Sequence, residues 1–357
     1  MSELRLTTRR LDIPFRDPFR IARHMGGRVA TTVIVEASAA ADREAGRIGL
    51  GEAFPDTYYG ENPATIDAVL PLLGEAVAQF EERLGWEIDE TRAALVDASA
   101  AMGAAIRHHG AAKCGVDIAL HDLAARRLGV PVYELLGCSP RIPPTDFTIG
   151  IDEPAVVAQR AERPARFPAL KIKVGGPADL ATLEAVRAVY AGPIRVDANT
   201  GWQPEQGAAL VPELVRLGVE LIEQPFPAHR LDQLAWLQER SALPVVADES
   251  AITIDDLDAL RGVVAGVNVK LAKCGGVGPA KRMLERARAL GFKRFLGCME
   301  ETSVGIAASA AVASLTDWVD LDGCLLLADD PFEGLELGAD CRWQLAGTPG
   351  LGVRARR

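Results

Sequence analysis

Alternating apolar and polar side chains predict strands over the first 55 residues of the chain. Three segments show this pattern, separated by Asp, Gly and Pro: LRLTTRRLDIPF, VATTVIVEASA and RIGLGEAF. Helical spacing follows in ATIDAVLPLLGEAVAQF, ETRAALVDASAAM and AKCGVDIALHDLAARRLG. The last segment ends at Gly129 with Pro131 just beyond, which is the usual helix stop. Strands followed by helices, without alternation, predict a separate α+β domain.

From Pro143 the pattern changes to strict alternation of strands and helices. The predicted strands are TDFTIGI, ALKIKV, IRVDA, ELIEQ, PVVAD, GVNVKLA, RFLGC and WVDLD. The predicted helices between them are DLATLEAVRAVYAG, QGAALVPELVRLG, LDQLAWLQERS, IDDLDALRG, PAKRMLERARALG and GIAASAAVASL. Eight parallel strands with helical connections predict an α/β (TIM) barrel with its site at the C-terminal strand ends. Since no amphipathic helix clearly follows strand eight, we expect a modified (β/α)8 barrel of the (β/α)7β type.

The two patterns divide the chain into three parts. We expect an N-terminal α+β capping domain over residues 1–125 and a catalytic barrel over residues 126–324. Residues 325–357 carry turn signals at Asp330-Pro331, Gly334 and Pro349-Gly350, and we expect them to return to the capping domain.

Composition narrows the class of protein. At 357 residues, 48% hydrophobic and 25% charged, the chain resembles an ordinary soluble protein of two domains. A net charge of -10 argues against nucleic-acid binding and for a small ligand. The start lacks a secretory signal and no apolar run is long enough for a membrane span, so no membrane partner is expected. The six cysteines form no CxxC pair, which favours reduced thiols in a cytoplasm.

Three carboxylates recur one strand-plus-helix unit apart. Asp197, Glu223 and Asp248 each follow a short apolar run, in IRVDAN, ELIEQP and PVVADES. A single acid at a strand end is usually a helix cap. Three on consecutive strands of a barrel instead converge on one mouth, where an all-oxygen set suits Mg²⁺, or Mn²⁺, rather than zinc. Asn199, Gln224 and Glu249 are candidates to support these ligands.

Two pairs of lysines flank the acids. Lys171 and Lys173 lie two apart in LKIKVG and point to the same side, so repulsion and burial should lower the pKa of one, as a general base requires. The alternative is that both are solvated at the rim. Lys270 and Lys273 end strand six, which lies opposite strand two in an eight-stranded barrel. Lys173 and Lys273 would therefore approach a bound carbon from opposite faces, a geometry that suits inversion.

Two further acids close strand eight. Asp320 and Asp322, in DLDG, lie on the same side of the strand and add negative charge beyond what a metal needs. Such acids suit a cationic substrate group such as an ammonium. The alternative is a solvated turn.

In this order, KxK, DxN, EQP, DES and KxxKxGG, the motifs resemble the muconate-lactonizing (muconate cycloisomerase) subgroup of the enolase superfamily. The resemblance covers essentially the whole chain, including DxxLHDLAARRLGVPVYELLG and the closing PGLGV. Within the subgroup, DLD and GCMEETS are similar to dipeptide epimerases, the relatives of L-Ala-D/L-Glu epimerase.

The resemblance implies a role for each candidate residue. Asp197, Glu223 and Asp248 would bind Mg²⁺, and Lys173 and Lys273 would be the acid/base pair on either side of the epimerised Cα. Substrate contacts are implied for Asp320, Asp322, Thr148, Lys171, Cys298 and Arg23. Of these, the two aspartates would hold the N-terminal ammonium of a dipeptide, and the arginine would meet an acidic side chain.

The resulting hypothesis is a Mg²⁺-dependent epimerase that inverts the Cα of the C-terminal residue of a dipeptide. One lysine removes the proton, a metal-stabilised enediolate forms, and the other lysine returns a proton to the opposite face. Residues 15–29 and 54–60 would close over the mouth. Glu300 puts an acid near the side-chain pocket, so dipeptides with cationic or neutral side chains remain candidate substrates. The protein is also expected to form a homo-oligomer.

Alternatives on the same scaffold are N-acylamino-acid racemase, o-succinylbenzoate synthase and muconate cycloisomerase. Their substrates carry no free ammonium, so the two acids of DLD would be unhelpful there. An alternative of another class is a non-catalytic ligand- or metal-binding protein on a borrowed barrel.

Overall fold

The N-terminal part is a three-stranded antiparallel sheet packed against helices. We analysed a computed structural model, which describes residues 4–345 and 347–356, apart from the side chains of residues 24–26. The strands are β1 (Arg5–Ile21), β2 (His24–Ser38) and β3 (Gly49–Ala53). The helices are α1 (Ala40–Glu44), α2 (Pro63–Ala78), α3 (Ile88–Ala105), α4 (Gly110–Leu128) and α5 (Val132–Leu135). The strands pair in the order β1-β2-β3, so the expected α+β capping domain is confirmed.

Glycines let the sheet lie directly on α4. A Cβ on Gly51 would meet the carbonyl oxygen of Gly115 at 1.9 Å, and one on Gly115 would meet Val35 at 2.7 Å. The small residues of these segments therefore place β3 against α4 at backbone distance. The helix ends at Gly129, which adopts φ +74 as the sequence pattern predicts.

Eight parallel strands form the second part, in the predicted order along the chain. They are β4 (Phe147–Ile149), β5 (Leu170–Lys173), β6 (Ile194–Asp197), β7 (Val219–Glu223), β8 (Val245–Ala247), β9 (Gly266–Val269), β10 (Lys293–Gly297) and β11 (Trp318–Asp320). Each pairs with its neighbour in sequence, and a parallel bridge between Thr145 and Val319 joins the first strand to the last. The sheet is therefore closed, and the ends of all eight strands meet at one mouth.

Helices connect most of these strands. They are α6 (Pro154–Glu162), α7 (Asp179–Val189), α8 (Pro204–Arg216), α9 (Leu231–Gln238), α10 (Leu271–Cys274), α11 (Val277–Ala289), α12 (Ser303–Ala310) and α13 (Gly323–Leu326). Among the described residues after β11, the four-residue α13 is the only helix, in agreement with the (β/α)7β type. The sequence pattern did not predict α6.

One predicted helix is wrong. Residues 254–262 form a 3₁₀ turn, Ile254–Asp256, followed by irregular turns. The carboxylate of Asp256 accepts hydrogen bonds from the backbone N–H groups of Ile252 and Thr253, at 2.9 and 2.8 Å. Aspartate competes for backbone donors in this way, which favours turns over helix interiors.

The C-terminal segment contacts the N-terminal part at α4 and at β1. Its strands are β12 (Phe332–Glu333), β13 (Glu336–Leu337), β14 (Trp343–Gln344) and β15 (Arg354–Ala355). The Leu351 N–H donates to Asp122 on α4 at 2.7 Å, and Leu327 bridges Phe15 on β1. The predicted boundary between cap and barrel, after residue 125, falls inside α4, which continues to Leu128. The exact limits of the domains therefore stay a prediction. Throughout residues 4–345 and 347–356, no helix has both the length and the apolar composition needed to cross a bilayer.

A buried carboxylate joins the capping domain to the barrel. Glu52, on β3, accepts hydrogen bonds from the Thr302 N–H and hydroxyl, from the Gly305 N–H at 2.9 Å and from the Thr32 hydroxyl at 2.8 Å. Two of these donors are N–H groups at the first turn of α12, where a negative charge is favourable. The cap is thus fastened to the barrel directly after β10.

We expect Glu52→Gln to destabilise the protein by about 2–4 kcal/mol, because the amide turns an N–H group toward other donors in a buried site. Thermal unfolding would measure the loss. The matched control is Glu75→Gln on the exposed face of α2, for which we expect a change within about 0.5 kcal/mol. Equal unfolding midpoints for the two variants would contradict this role of Glu52.

Candidate active site

Three acids converge at the mouth of the barrel. Asp197 and Glu223 are the last residues of β6 and β7, and Asp248 directly follows β8. One oxygen of each carboxylate lies within 4.8 Å of the others, and all three residues are buried. Among the residues that the structure describes, these are the ones grouped closely enough to hold a metal ion. The strand ends therefore bring the predicted ligands together.

Strained loops orient these acids. Three residues that follow the strand ends, Asn199, Thr200 and Gln224, have φ angles of 40°, 68° and 31°. Residues other than glycine rarely adopt this backbone region. The Gln224 side-chain oxygen accepts the Asp248 N–H at 2.9 Å, and the Asn199 N–H donates to Asp197 at 2.9 Å. Such strain is retained where surrounding contacts hold it, as at functional sites.

Burial and neighbouring charges set the ionisation of the three acids. Burial alone would raise the pKa of Asp197, but Lys173 and Lys171 outweigh it and hold that pKa below its ordinary value. Lys270 and Lys273 likewise hold the pKa of Asp248 well below its ordinary value against burial. Burial, reinforced by the charge of Asp197, raises the pKa of Glu223 to about 7. The cluster thus combines two strongly anionic carboxylates with one that is easily protonated.

The two lysines predicted to act as bases lie on opposite sides of the barrel. Lys173 ends β5, and its Nζ donates to Asp197 at 2.6 Å. Lys273 lies in α10, one turn beyond β9, and its Nζ lies 2.5 Å from Asp248 Oδ1. In the sheet order β5 and β9 are four strands apart, which is opposite in a closed barrel of eight. Each ammonium therefore reaches the acid cluster from its own side.

In the KxK pair, Lys171 is not the lysine with the lowered pKa that the sequence predicts for one of the two. Its Nζ lies 2.6 Å from Asp320, 2.9 Å from Glu223 and 3.5 Å from Asp197. Burial would lower the pKa, but these carboxylates, Asp320 foremost, raise it well above the ordinary value. The attraction to these acids outweighs the effect of burial on the pKa of Lys171. Lys171 therefore joins the acid cluster to the DLD pair as a cation.

Two supporting residues were not assigned roles from the sequence. Asn268 donates to Glu223 at 2.7 Å and its carbonyl accepts from Lys273 at 3.0 Å. Lys270 donates to Asp248 at 2.9 Å. The sequence feature that could have identified Asn268 is its position as a polar residue inside the apolar strand β9. A buried polar side chain is costly unless it is hydrogen-bonded.

Asp320 and Asp322 both point into the barrel beside β4. The Thr148 hydroxyl donates to Asp320 at 3.0 Å, and the Thr148 N–H donates to Asp322 at 2.5 Å. Burial would raise the pKa of Asp320, but Lys171 holds it well below its ordinary value. Burial and the charge of Asp320 raise the pKa of Asp322 well above its ordinary value. A cation bound here would stabilise the ionised form of Asp322, and the solvated-turn alternative does not hold because both acids are buried.

A cavity of about 450 Å³ lies between the cap and the mouth, a size suited to a small molecule. Both segments expected to close over the mouth, 15–29 and 54–60, contribute to its wall. The polar residues in its lining include Arg23, Asp56, Tyr58, Lys173, Asn199, Lys270, Cys298 and Glu300. The structure thus places four predicted site residues around one space: Arg23, Lys173, Asn199 and Cys298.

Arg23 spans the gap between the two domains. Its guanidinium is paired with Glu249, donates to the Asn199 carbonyl at 3.4 Å and lies 4.0 Å over the Tyr58 ring. Asn199 Nδ2 also donates to Glu249, at 3.3 Å. The predicted supporting residues Asn199 and Glu249 are therefore adjacent to the acid cluster, but Glu249 faces the cap. An acidic substrate group could meet Arg23 only by competing with Glu249.

The acid cluster fits Mg²⁺. Its donors are all carboxylate oxygens, two of them held anionic, and hard divalent cations prefer such ligands. Asp197, Glu223 and Asp248 would hold the ion. With lysines on two sides and a second acidic pair at the end of β11, the arrangement can bind a ligand that carries both a carboxylate and an ammonium. It can also exchange a proton at a carbon between these two groups.

Two family models match the chain. Residues 4–137 match the mandelate racemase / muconate lactonizing enzyme N-terminal domain, and residues 155–357 match the enolase C-terminal domain-like model. Together they cover the cap, the C-terminal segment and the barrel, except for residues 138–154, which contain β4.

Curated relatives and solved structures are similar over most of the chain. An L-Ala-D/L-Glu epimerase of Bacteroides thetaiotaomicron is 39% identical over 86% of this chain and 78% of its own length. An L-Lys-D/L-Arg epimerase of Methylococcus capsulatus is 35% identical over 86% of this chain and 88% of its own. The crystal structure of a dipeptide epimerase from Enterococcus faecalis with Mg and L-Leu-L-Tyr superposes with a TM-score of 0.88 at 30% identity, covering 99% of both chains.

Proposed function

This chain belongs to the mandelate racemase / muconate lactonizing enzyme family of the enolase superfamily, and on that premise we propose that it is a Mg²⁺-dependent dipeptide epimerase. The observation that carries the proposal is the convergence of three carboxylates between two lysines from opposite sides of the barrel. Relatives that are similar over most of the chain are dipeptide epimerases with acidic, cationic or hydrophobic side chains in their substrates. The reaction is inversion of the Cα of the C-terminal residue.

The proposed acid and base are Lys173 and Lys273. A lysine that has given up its proton accepts the hydrogen from Cα on one face, and the lysine on the opposite face donates its proton to the same carbon. Bound Mg²⁺ supplies positive charge that lowers the energy of the anion left when the proton departs. Each lysine donates to a carboxylate of the cluster, which keeps its Nζ close to the place where the substrate carboxylate would bind.

The proposed ammonium site is formed by Asp320, Asp322 and Thr148. Two buried carboxylates 2.5 and 3.0 Å from one threonine offer several acceptor oxygens, and a dipeptide ammonium has three donors. Lys171 already neutralises Asp320, so the second acid is the one left to balance a substrate cation. We propose that Cys298 lines the substrate beside this site. The role of Arg23 toward an acidic side chain stays a prediction.

The direct test is proton exchange at carbon. We expect L,L-dipeptides incubated in D₂O with the protein and Mg²⁺ to lose the ¹H NMR signal of the C-terminal Cα and to gain that of the L,D-epimer. The N-terminal Cα should keep its proton, because only the residue bound through its carboxylate lies between the lysines. Loss of neither signal across a dipeptide library would refute the proposed reaction.

Replacement of Asp322 by Asn separates this reaction from those of N-acylamino-acid racemase and its relatives. We expect a loss in kcat/KM for dipeptides of roughly tenfold to hundredfold, because a charge-assisted hydrogen bond to the ammonium is lost. Steady-state kinetics with a dipeptide and an N-succinyl amino acid would measure it. If the wild-type protein turned over only the N-succinyl compound, the racemase alternative would replace the epimerase proposal.

We also propose a cytoplasmic homo-oligomer that binds no nucleic acid. The net charge of -10 opposes binding to a polyanion, and the six cysteines are unpaired, which fits a reducing compartment. Light scattering after size exclusion would give the oligomeric state, and a monomer would contradict this part of the proposal.

A further inference from the structure

The cations that line the cavity between cap and barrel are already paired with carboxylates of the protein. Three cations face it, Arg23, Lys173 and Lys270, and each has a carboxylate partner: Glu249, Asp197 and Asp248 respectively. Their positive charge is therefore already neutralised by the protein. An anionic side chain entering the cavity would have to displace one of these partners.

The two acids of the same lining have no such partners. Within the described part of the chain, Glu300 forms no ion pair and is hydrogen-bonded only to its own backbone N–H, and the Asp56 side chain accepts only the Tyr58 N–H at 2.8 Å. Burial raises the pKa of the Glu300 carboxyl, which Lys173 only partly opposes. A half-buried carboxylate without a partner is costly, and a ligand cation would offset that cost.

From this imbalance we propose that the preferred substrate is a dipeptide whose N-terminal residue carries a cationic side chain, and that Glu300 is the residue that selects it. This inference rests on the proposed function and adds the substrate class. Glu300 follows β10, and β10 lies between β9 and β11 in the barrel. Lys273 lies just beyond β9, and the proposed ammonium site lies at the end of β11. A residue bound at the end of β11 through its ammonium therefore places its side chain next to Glu300.

The wall of the cavity suits the rest of such a side chain. Phe15, Phe19 and Phe54 from the cap, with Met299 from the barrel, face the same space. Lysine and arginine combine an apolar stem with a charged end, so the stem can pack on these rings while the charge reaches Glu300 and Asp56. Aromatic faces also attract cations directly.

The test compares two substrates that differ only in the charged end. L-norleucine has the four-carbon stem of lysine without the ammonium, so the ratio of kcat/KM for L-Lys-L-Ala to that for L-Nle-L-Ala isolates the charge. We expect this ratio to be roughly tenfold to hundredfold in the wild-type protein, and to approach one in Glu300→Gln. Asp56→Asn, which keeps the acceptor for Tyr58, should lower the ratio by a smaller factor. The control Glu75→Gln removes the same charge from an exposed site and should keep the wild-type ratio.

The outcomes separate the two proposals. Exchange at Cα with L-Nle-L-Ala at least as fast as with L-Lys-L-Ala would overturn the cationic preference while leaving the epimerase proposal intact. An unchanged ratio in Glu300→Gln would remove this residue as the selector. A preference for L-Ala-L-Lys over L-Lys-L-Ala would overturn the assignment to the N-terminal residue. Exchange with no dipeptide at all would refute the proposed function itself.

Discussion

Lys273→Ala is expected to abolish epimerisation while sparing proton exchange for one epimer only. Inversion needs a proton acceptor on one face of Cα and a donor on the other, and loss of either lysine leaves one face without its group. We expect epimerisation to fall by about 10³-fold or more, the upper part of the range for a general acid or base. The remaining lysine, Lys173, can still remove and return the α-proton of the epimer that faces it, so that epimer alone should take up deuterium.

The reciprocal variant gives the matching result. Lys173→Ala should also lose epimerisation, and its residual exchange should occur with the opposite epimer, as read by NMR in D₂O from separately supplied L,L- and L,D-dipeptides. Lys293→Ala, at the exposed start of β10, is the control and should epimerise normally. If either active-site variant epimerised at a near-normal rate, the two-lysine assignment would fail.

Asp248→Asn is expected to remove most of the Mg²⁺ affinity together with activity. The change deletes one of three anionic ligands and leaves Lys270 and Lys273 with an uncompensated positive charge next to the ion. Charge count of the ligands strongly tunes the affinity of such sites, so we expect metal binding to weaken by about 10²-fold or more. Titration of the protein with Mn²⁺, followed by electron paramagnetic resonance, would measure this without relying on turnover.

A neighbouring acid provides the control for metal binding. Asp255 is exposed in the turn after β8, and Asp255→Asn removes the same charge without touching the cluster. It should bind Mn²⁺ as the wild type does. Equal Mn²⁺ affinity in Asp248→Asn would show that the ion is held elsewhere. Treatment of the wild type with a chelator should stop proton exchange, and added Mg²⁺ should restore it.

Most of the fold and the core of the site could be predicted from the two-residue period of the strands and from the residues at the strand ends. A carboxylate directly after a buried apolar run can be recognised from its neighbours, and a barrel brings such positions together whatever the intervening helices do. That is why Asp197, Glu223 and Asp248 were predicted together, and why the missing helix over residues 254–262 did not disturb their convergence. The helix itself failed because Asp256 bonds to nearby backbone groups, a local competition that apolar spacing does not report.

Pairing between distant charges was decided by the tertiary structure alone. The sequence determined which residues carry charge and on which strand ends they lie, but not that Glu249 neutralises Arg23 across the domain boundary or that Lys171 is held by three acids. Electrostatic interaction depends on distance and burial, and residues far apart in the sequence acquire both only when the chain has folded. For the same reason, only the folded chain reveals that no described residue forms an ion pair with Glu300, on which the proposed substrate preference depends.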